Sequence, residues 1–244
     1  MKAKSIARTT VACLLLGMVA LFVQAQDRKT AQQAPDTPHA AEAAHATDTP
    51  HVTAAEARKR LVEGNARFAA GGAQHPRQSP GRRAELSASQ EPVAVIVGCA
   101  DSRTGPEILF DQGLGDLFVV REAGNVVDDH ALGSIEYAVE HLHAPLIVVL
   151  GHERCGAIAA ARDTAAAHAH AEGHIESLVA AIRPAVEATA GQDAEATCRA
   201  NVRNVVKTLR ASDPILRHAA EGGKLEVVGA YYDLDTGTVT FLTD

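Results

Sequence analysis

Residues 93–103 read Val-Ala-Val-Ile-Val-Gly-Cys-Ala-Asp-Ser-Arg. The run is apolar through Val97 and then breaks into Gly98, Cys99, Asp101 and Arg103. An unbroken apolar run of this length suits a strand buried on both faces, as in a parallel sheet. A second such run, Leu146 to Leu150, breaks in the same way into Gly151, His152, Glu153, Arg154, Cys155 and Gly156. Leu117 to Val120 and Leu225 to Tyr231 are further strand candidates, the last interrupted by Glu226. Between them lie stretches with helical patterning, near 130–143, 155–169, 173–189 and 195–210. Strands alternating with helices predict an α/β fold with a central, mostly parallel β-sheet flanked by helices. Asp235-Thr236-Gly237 between two strand-like runs predicts a hairpin that adds one antiparallel edge strand.

Upstream, Thr53-Ala54-Ala55-Glu56 is a capping box, so a helix is expected from about 53 to 70, ended by Gly71-Gly72. Residues 26–52 are rich in Ala, Gln, Asp, Thr, Pro and His, and Asp-Thr-Pro-His occurs at both 36–39 and 48–51. Such a segment buries too little apolar surface to offset the entropy of ordering it, so a disordered tether is expected. Lys2, Lys4 and Arg8 precede an apolar run from Val11 to Val23, and Val23-Gln24-Ala25 suits a cleavage site. This is the three-part form of a signal peptide over residues 1–25. It is short for a membrane span, so no span is expected after cleavage. The expected domain order is signal peptide 1–25, tether 26–52 and folded domain 53–244. The expected destination is the periplasm or the exterior.

The whole chain has 244 residues and a formal net charge of −7, which argues against nucleic-acid binding, since phosphate contacts need a basic excess. Aromatic residues make up 3%, with no Trp, so the core must be built of Ala, Val, Leu and Ile. Beyond residue 25 the cysteines are Cys99, Cys155 and Cys198. This odd number fits two metal ligands and one spare thiol, or pairing that leaves one free.

In a parallel sheet, ligands bind beyond the carboxyl ends of the strands. If the first and third strands are neighbours, Cys99, Asp101, His152 and Cys155 converge. Two thiolates, an imidazole and a carboxylate form a tetrahedral zinc set. The competing readings are two inert thiols or a Cys99–Cys155 disulfide. Neither accounts for Asp101, Arg103 and His152 at the same strand ends.

These stretches, 98–103 and 151–156, resemble the β-class carbonic anhydrases. So do 111–121, Ala123-Gly124-Asn125, 132–137 and 61–68. The resemblance spans about 53–242 and, with the leader, implies an exported bacterial enzyme. It implies one zinc per chain and reversible hydration of carbon dioxide to bicarbonate and a proton, by hydroxide formed on the metal. A relative that hydrolyses carbonyl sulfide or carbon disulfide on the same fold is the alternative, and a closed, non-catalytic zinc site is another. It further implies a homodimer or dimer of dimers in which the N-terminal helix packs on the partner. For Asp101 two roles stay open. It is either a fourth metal ligand, or it pairs with Arg103 and accepts a hydrogen bond at the reacting centre. The resemblance also makes Gln90 and Gly156 substrate-binding residues. His170 and His174, four apart on a helix, could pinch a second metal, and together with His168 could relay protons, but Gly173 weakens the helix that would carry them.

Overall fold

The computed structural model describes residues 52–243. The expected leader, and all of the expected tether except Val52, lie outside the described residues. Helix α1 (Ala54–Ala69) starts at the capping box as expected: Thr53 Oγ1 accepts from the Glu56 amide and the Glu56 carboxylate accepts from the Thr53 amide at 2.9 Å. There follow α2 (Pro80–Glu85), β1 (Ala94–Gly98), α3 (Pro106–Leu109), β2 (Leu117–Arg121) and a 3-10 turn at Ala123–Asn125. Next come α4 (Asp129–Glu140), β3 (Leu146–His152), α5 (Gly156–Ala166), α6 (Ile175–Ala188) and α7 (Ala194–Ala211). The last elements are α8 (Ile215–Glu221), β4 (Glu226–Tyr232) and β5 (Val239–Phe241). The short helices α2, α3 and α8 escape the apolar periodicity. Ser79-Pro80 nevertheless signals α2, because the Ser79 hydroxyl accepts from the Arg82 amide and proline suits the first helical turn.

The sheet order is β2-β1-β3-β4-β5. The first four strands are parallel and β5 is the antiparallel edge. Every residue of β1 and β3 is buried, which is why these two runs read as continuously apolar. Alternation along the strands builds two cores. Val95, Val97, Ile147, Val149 and Val227 face Ile135 of α4, Val202, Val206 and Leu209 of α7, and Leu216 of α8. Ala94, Ile96, Leu146, Val148 and Val228 face Ala57 and Leu61 of α1, with Leu109 and Phe110. A third cluster, from α5, α6 and α7, covers the strand ends around Cys99 and Cys155.

The apolar face of α1 has a definite place in its own chain. It is closed by that chain's sheet, with Ala57 and Leu61 fully buried there. Asn65 donates to the Leu109 and Gly237 carbonyls and accepts from the Val239 amide, joining α3 to the β4–β5 hairpin. Arg67 pairs with buried Asp111 at 2.6 Å. Gly64 lies so close to Phe110 that a Cβ there would stand 1.8 Å from that residue's carbonyl oxygen. Gly64→Ala is therefore expected to cost about 3 kcal/mol, the upper end of overpacking, because the obstacle is backbone. Thermal melts should show Tm lowered by about 6–12 °C. An unchanged Tm would mean that α1 does not pack here.

Candidate metal centre

Cys99 is the first residue beyond β1, and His152 is the last of β3. Gly98 pairs with Leu150 in the register, so Cys99 lies level with Gly151, one residue before His152. The chain then turns through Glu153 and Arg154, whose φ of 51° is left-handed, and α5 begins with Cys155 at its N-cap. One ligand atom from each of Cys99, His152 and Cys155 lies within 4.8 Å of the other two. Edges around a tetrahedral zinc are about 3.3–3.8 Å, so only a slight contraction closes the set. No other group of three or more such residues forms among the described residues. The cysteines are free thiols rather than a disulfide.

The donor set fits a metal on its own chemistry. His152 Nδ1 lies 2.8 Å from the Glu153 carbonyl. A carbonyl can only accept, so Nδ1 carries the proton and Nε2 presents a lone pair. That Nε2 is buried and has no hydrogen-bond partner. A buried polar atom left so is costly unless a ligand takes it. Cys99 Sγ accepts from the Gly124 amide at 3.2 Å and the Asp101 amide at 3.4 Å. Cys155 beside it, then His152 and these two amides, pull the Cys99 thiol well below its usual range despite burial. Cys155 is pushed the other way by Cys99 and by burial. A divalent cation would favour the thiolate form of both, displacing their protons. The α5 N-terminus favours the second thiolate.

Asp101 stands beside this trio. Arg103 donates to it through Nε at 2.9 Å, Nη2 at 2.7 Å and its backbone amide at 2.9 Å. This pairing with Arg103 is one of the two arrangements open to Asp101. That fork holds the carboxyl well below the usual carboxylate range. Its Oδ2 remains 4.0 Å from His152 Nε2. Arg103 Nη2 also reaches the Arg154 carbonyl at 3.2 Å, tying the two strand-end loops together. Arg154 in turn makes a two-bond pair with Asp235 in the hairpin, at 2.7 and 3.0 Å.

Gly156 is exposed at the first position of α5, and nothing lies within 4 Å of where a Cβ would be. Gln90 is not brought to the site. It is exposed in the loop before β1, while Cys99 lies beyond its far end, and the five residues of β1 alone span about 16 Å. His168, His170 and His174 are exposed at the far end of α5, and His170 is held by Glu176 at 2.9 Å. Cys198 is a core residue, 2% exposed, its thiol pushed up to about 12 by burial. A cavity of about 470 Å³ adjoins the centre, lined by His152, Cys155, Ile158, Glu195, Cys198 and Tyr231 among others.

Arg121 is a site residue that the motif reading passed over. It ends β2 opposite Gly98 and bonds the Cys99 and Asp101 carbonyls. Its sequence signal was faint: one Arg at the end of an apolar strand.

Comparison with known proteins agrees with this geometry. The family model described as carbonic anhydrase matches residues 94–239. Carbonic anhydrase 2 of Mycobacterium tuberculosis (strain CDC 1551 / Oshkosh) is 47% identical over 182 residues, covering 73% of this chain and 88% of that protein. A carbonic anhydrase of Mycolicibacterium smegmatis is 43% identical over 185 residues, covering 74% and 89%. Among solved structures, a tetrameric β-carbonic anhydrase of Sordaria macrospora superposes with a TM-score of 0.61 at 26% identity, covering 77% of this chain and 97% of that one. The Coccomyxa β-carbonic anhydrase in complex with acetazolamide gives 0.58 at 29% identity, covering 75% and 85%.

Proposed function

Since the chain belongs to the β-class carbonic anhydrases, enzymes that interconvert carbon dioxide and bicarbonate, we propose that it works as an exported bacterial enzyme with one zinc ion per chain. One observation carries the metal reading: the orphaned Nε2 of His152 lies within 4.8 Å of two free thiol sulfurs, those of Cys99 and Cys155. Zinc suits two thiolates and an imidazole better than a hard cation does, and the two thiolates neutralise its charge.

Cys99, His152 and Cys155 hold the ion. Zinc, when bound, lowers the pKa of a coordinated water from about 15.7 toward 7 and so supplies a nucleophile near neutral pH. Asp101 is ionised, so it can accept a hydrogen bond at the reacting oxygen but cannot donate one. Arg103 fixes the direction of that acceptor with a two-bond fork that Lys could not form. The Gly156 amide, at a helix N-terminus beside open space, donates to a substrate oxygen. A role for Gln90 at substrate would require the site of a second copy, as a homodimer or a dimer of dimers provides. The tetrameric Sordaria relative is in keeping with that. The names of the curated relatives favour carbon dioxide over carbonyl sulfide.

The basic and apolar pattern of residues 1–25 supports export to the periplasm or beyond, with 53–244 as the catalytic domain. No helix among the described residues is long and apolar enough to cross a membrane.

Stopped-flow hydration of carbon dioxide at alkaline pH, on zinc-analysed protein from the periplasmic fraction, tests the reading. The expected result is one zinc per chain, rapid turnover and an N-terminus at Gln26. Fully zinc-loaded protein that leaves carbon dioxide unhydrated would overturn the catalytic reading. An intact Met1 in the cytosol would overturn export.

A further inference from the structure

We infer that Arg121 is a positioning residue that fixes the loop Cys99–Thr104 so that Asp101 is turned to Arg103 rather than onto the metal. The inference rests on the reading that Cys99, His152 and Cys155 hold the catalytic ion.

The β1–β2 register sets Arg121 opposite Gly98, the last residue before the loop. From there its guanidinium spans two carbonyls, with Nε donating to Cys99 at 2.8 Å and Nη2 to Asp101 at 2.5 Å. These carbonyls belong to a metal ligand and to the residue whose carboxylate faces the reaction. Nη2 also lies 3.5 Å from the hydroxyl of Thr104, which is 2% exposed. That hydroxyl and the Thr104 amide both approach the Asp101 carbonyl, at 2.9 and 3.1 Å. The loop thus closes on Arg121 as on a peg.

Charged donors make stronger hydrogen bonds than neutral ones, and the planar fork fixes two acceptors at a set spacing. Among the described residues Arg121 has no carboxylate within ion-pair distance, so its donors go to loop carbonyls. The Asp101 side chain is held by Arg103 while its backbone is held by Arg121. With Oδ2 only 4.0 Å from His152 Nε2, a shift of less than about 1 Å would bring it to the spacing of two neighbouring ligands around a tetrahedral zinc, about 3.4 Å. Losing the backbone hold permits that shift even though Arg103 remains.

Arg121→Lys keeps the charge, but one ammonium cannot span both carbonyls, and Arg121→Ala removes the peg. Zinc per chain, kcat per bound zinc, KM and amide hydrogen exchange are to be measured on both variants beside the parent, zinc-loaded and metal-free. The lysine variant should lose about tenfold in kcat per bound zinc and the alanine variant about a hundredfold, at unchanged KM, as expected when a reacting group is displaced by an ångström or so. The Arg103 and Thr104 amides should exchange at least about tenfold faster in both variants, with or without zinc. Methylguanidinium should restore part of kcat in the alanine variant. Should that variant fail to fold, the lysine variant still decides.

Parent-like kcat per zinc with parent-like exchange would overturn the inference. So would a loss of activity that merely tracks lost zinc, which is what a purely structural role gives. If the zinc-loaded parent itself does not hydrate carbon dioxide, the catalytic reading fails instead. Exchange in the metal-free proteins then still decides whether Arg121 holds the loop.

Discussion

Cys155→Ala is expected to lower carbon dioxide hydration by at least about 1000-fold while leaving the chain folded. Cys155 occupies a boundary: it caps α5, lines the cavity beside the centre and is 5% exposed. Removing one sulfur atom from such a place costs on the order of 1 kcal/mol, which a domain of this size tolerates. Removing a metal ligand has a far larger effect. Without the cation, the pKa of the attacking water returns from about 7 to about 15.7, roughly eight orders of magnitude less hydroxide at neutral pH. The smaller figure of 1000-fold allows for metal held weakly by Cys99 and His152. Circular dichroism, zinc analysis and stopped-flow hydration on the same preparation separate the effects. A folded variant that keeps one zinc per chain and parent-like turnover would remove Cys155 from the centre.

Asp101→Asn should reduce turnover by about 100- to 1000-fold, the scale of a lost acid–base or orienting group, with zinc still at one per chain. Asparagine keeps the shape but gives up the charge. It offers Arg103 one acceptor in place of two, and the amide nitrogen it adds is a donor facing other donors. The Nε and Nη2 bonds from Arg103, now at 2.9 and 2.7 Å, cannot both survive. Arg103→Lys is the graded companion. It keeps a positive charge but loses the fork, and about a tenfold loss is expected. Zinc content decides between the two roles of Asp101. Loss of zinc in Asp101→Asn would mean that the carboxylate is a ligand. Parent-like turnover would mean that it does not act at the reacting atoms.

Much of this is legible in the order of the residues. The β1 and β3 runs are apolar at every position because both faces of a central parallel strand are covered. The capping box marks the start of α1 because its hydrogen bonds are local. The hairpin turn at 235–237 is local too, with the Asp233 carboxylate accepting from the Asp235 and Thr236 amides. Short helices such as α3 and α8 are too brief to show a period, and tertiary packing holds them rather than propensity. Arg121 was passed over for a different reason: its partners are carbonyls, which every residue has, so no pairing of residue types betrays it.

The sequence by itself determined the chemistry of the centre. Apolar strands in a parallel sheet end at one edge, so ligand-type residues just beyond two of them were bound for the same side of the molecule. Only the tertiary structure decided that β1 and β3 are neighbours with Gly98 opposite Leu150, which brings Cys99 and His152 together. It also decided that Asp101 turns to Arg103, that Gln90 sits beyond the wrong end of β1, and that α1 covers its own sheet. Each of these depends on register and distance between residues remote in the chain. Local patterning reports which face a side chain takes, and is blind to what that face meets.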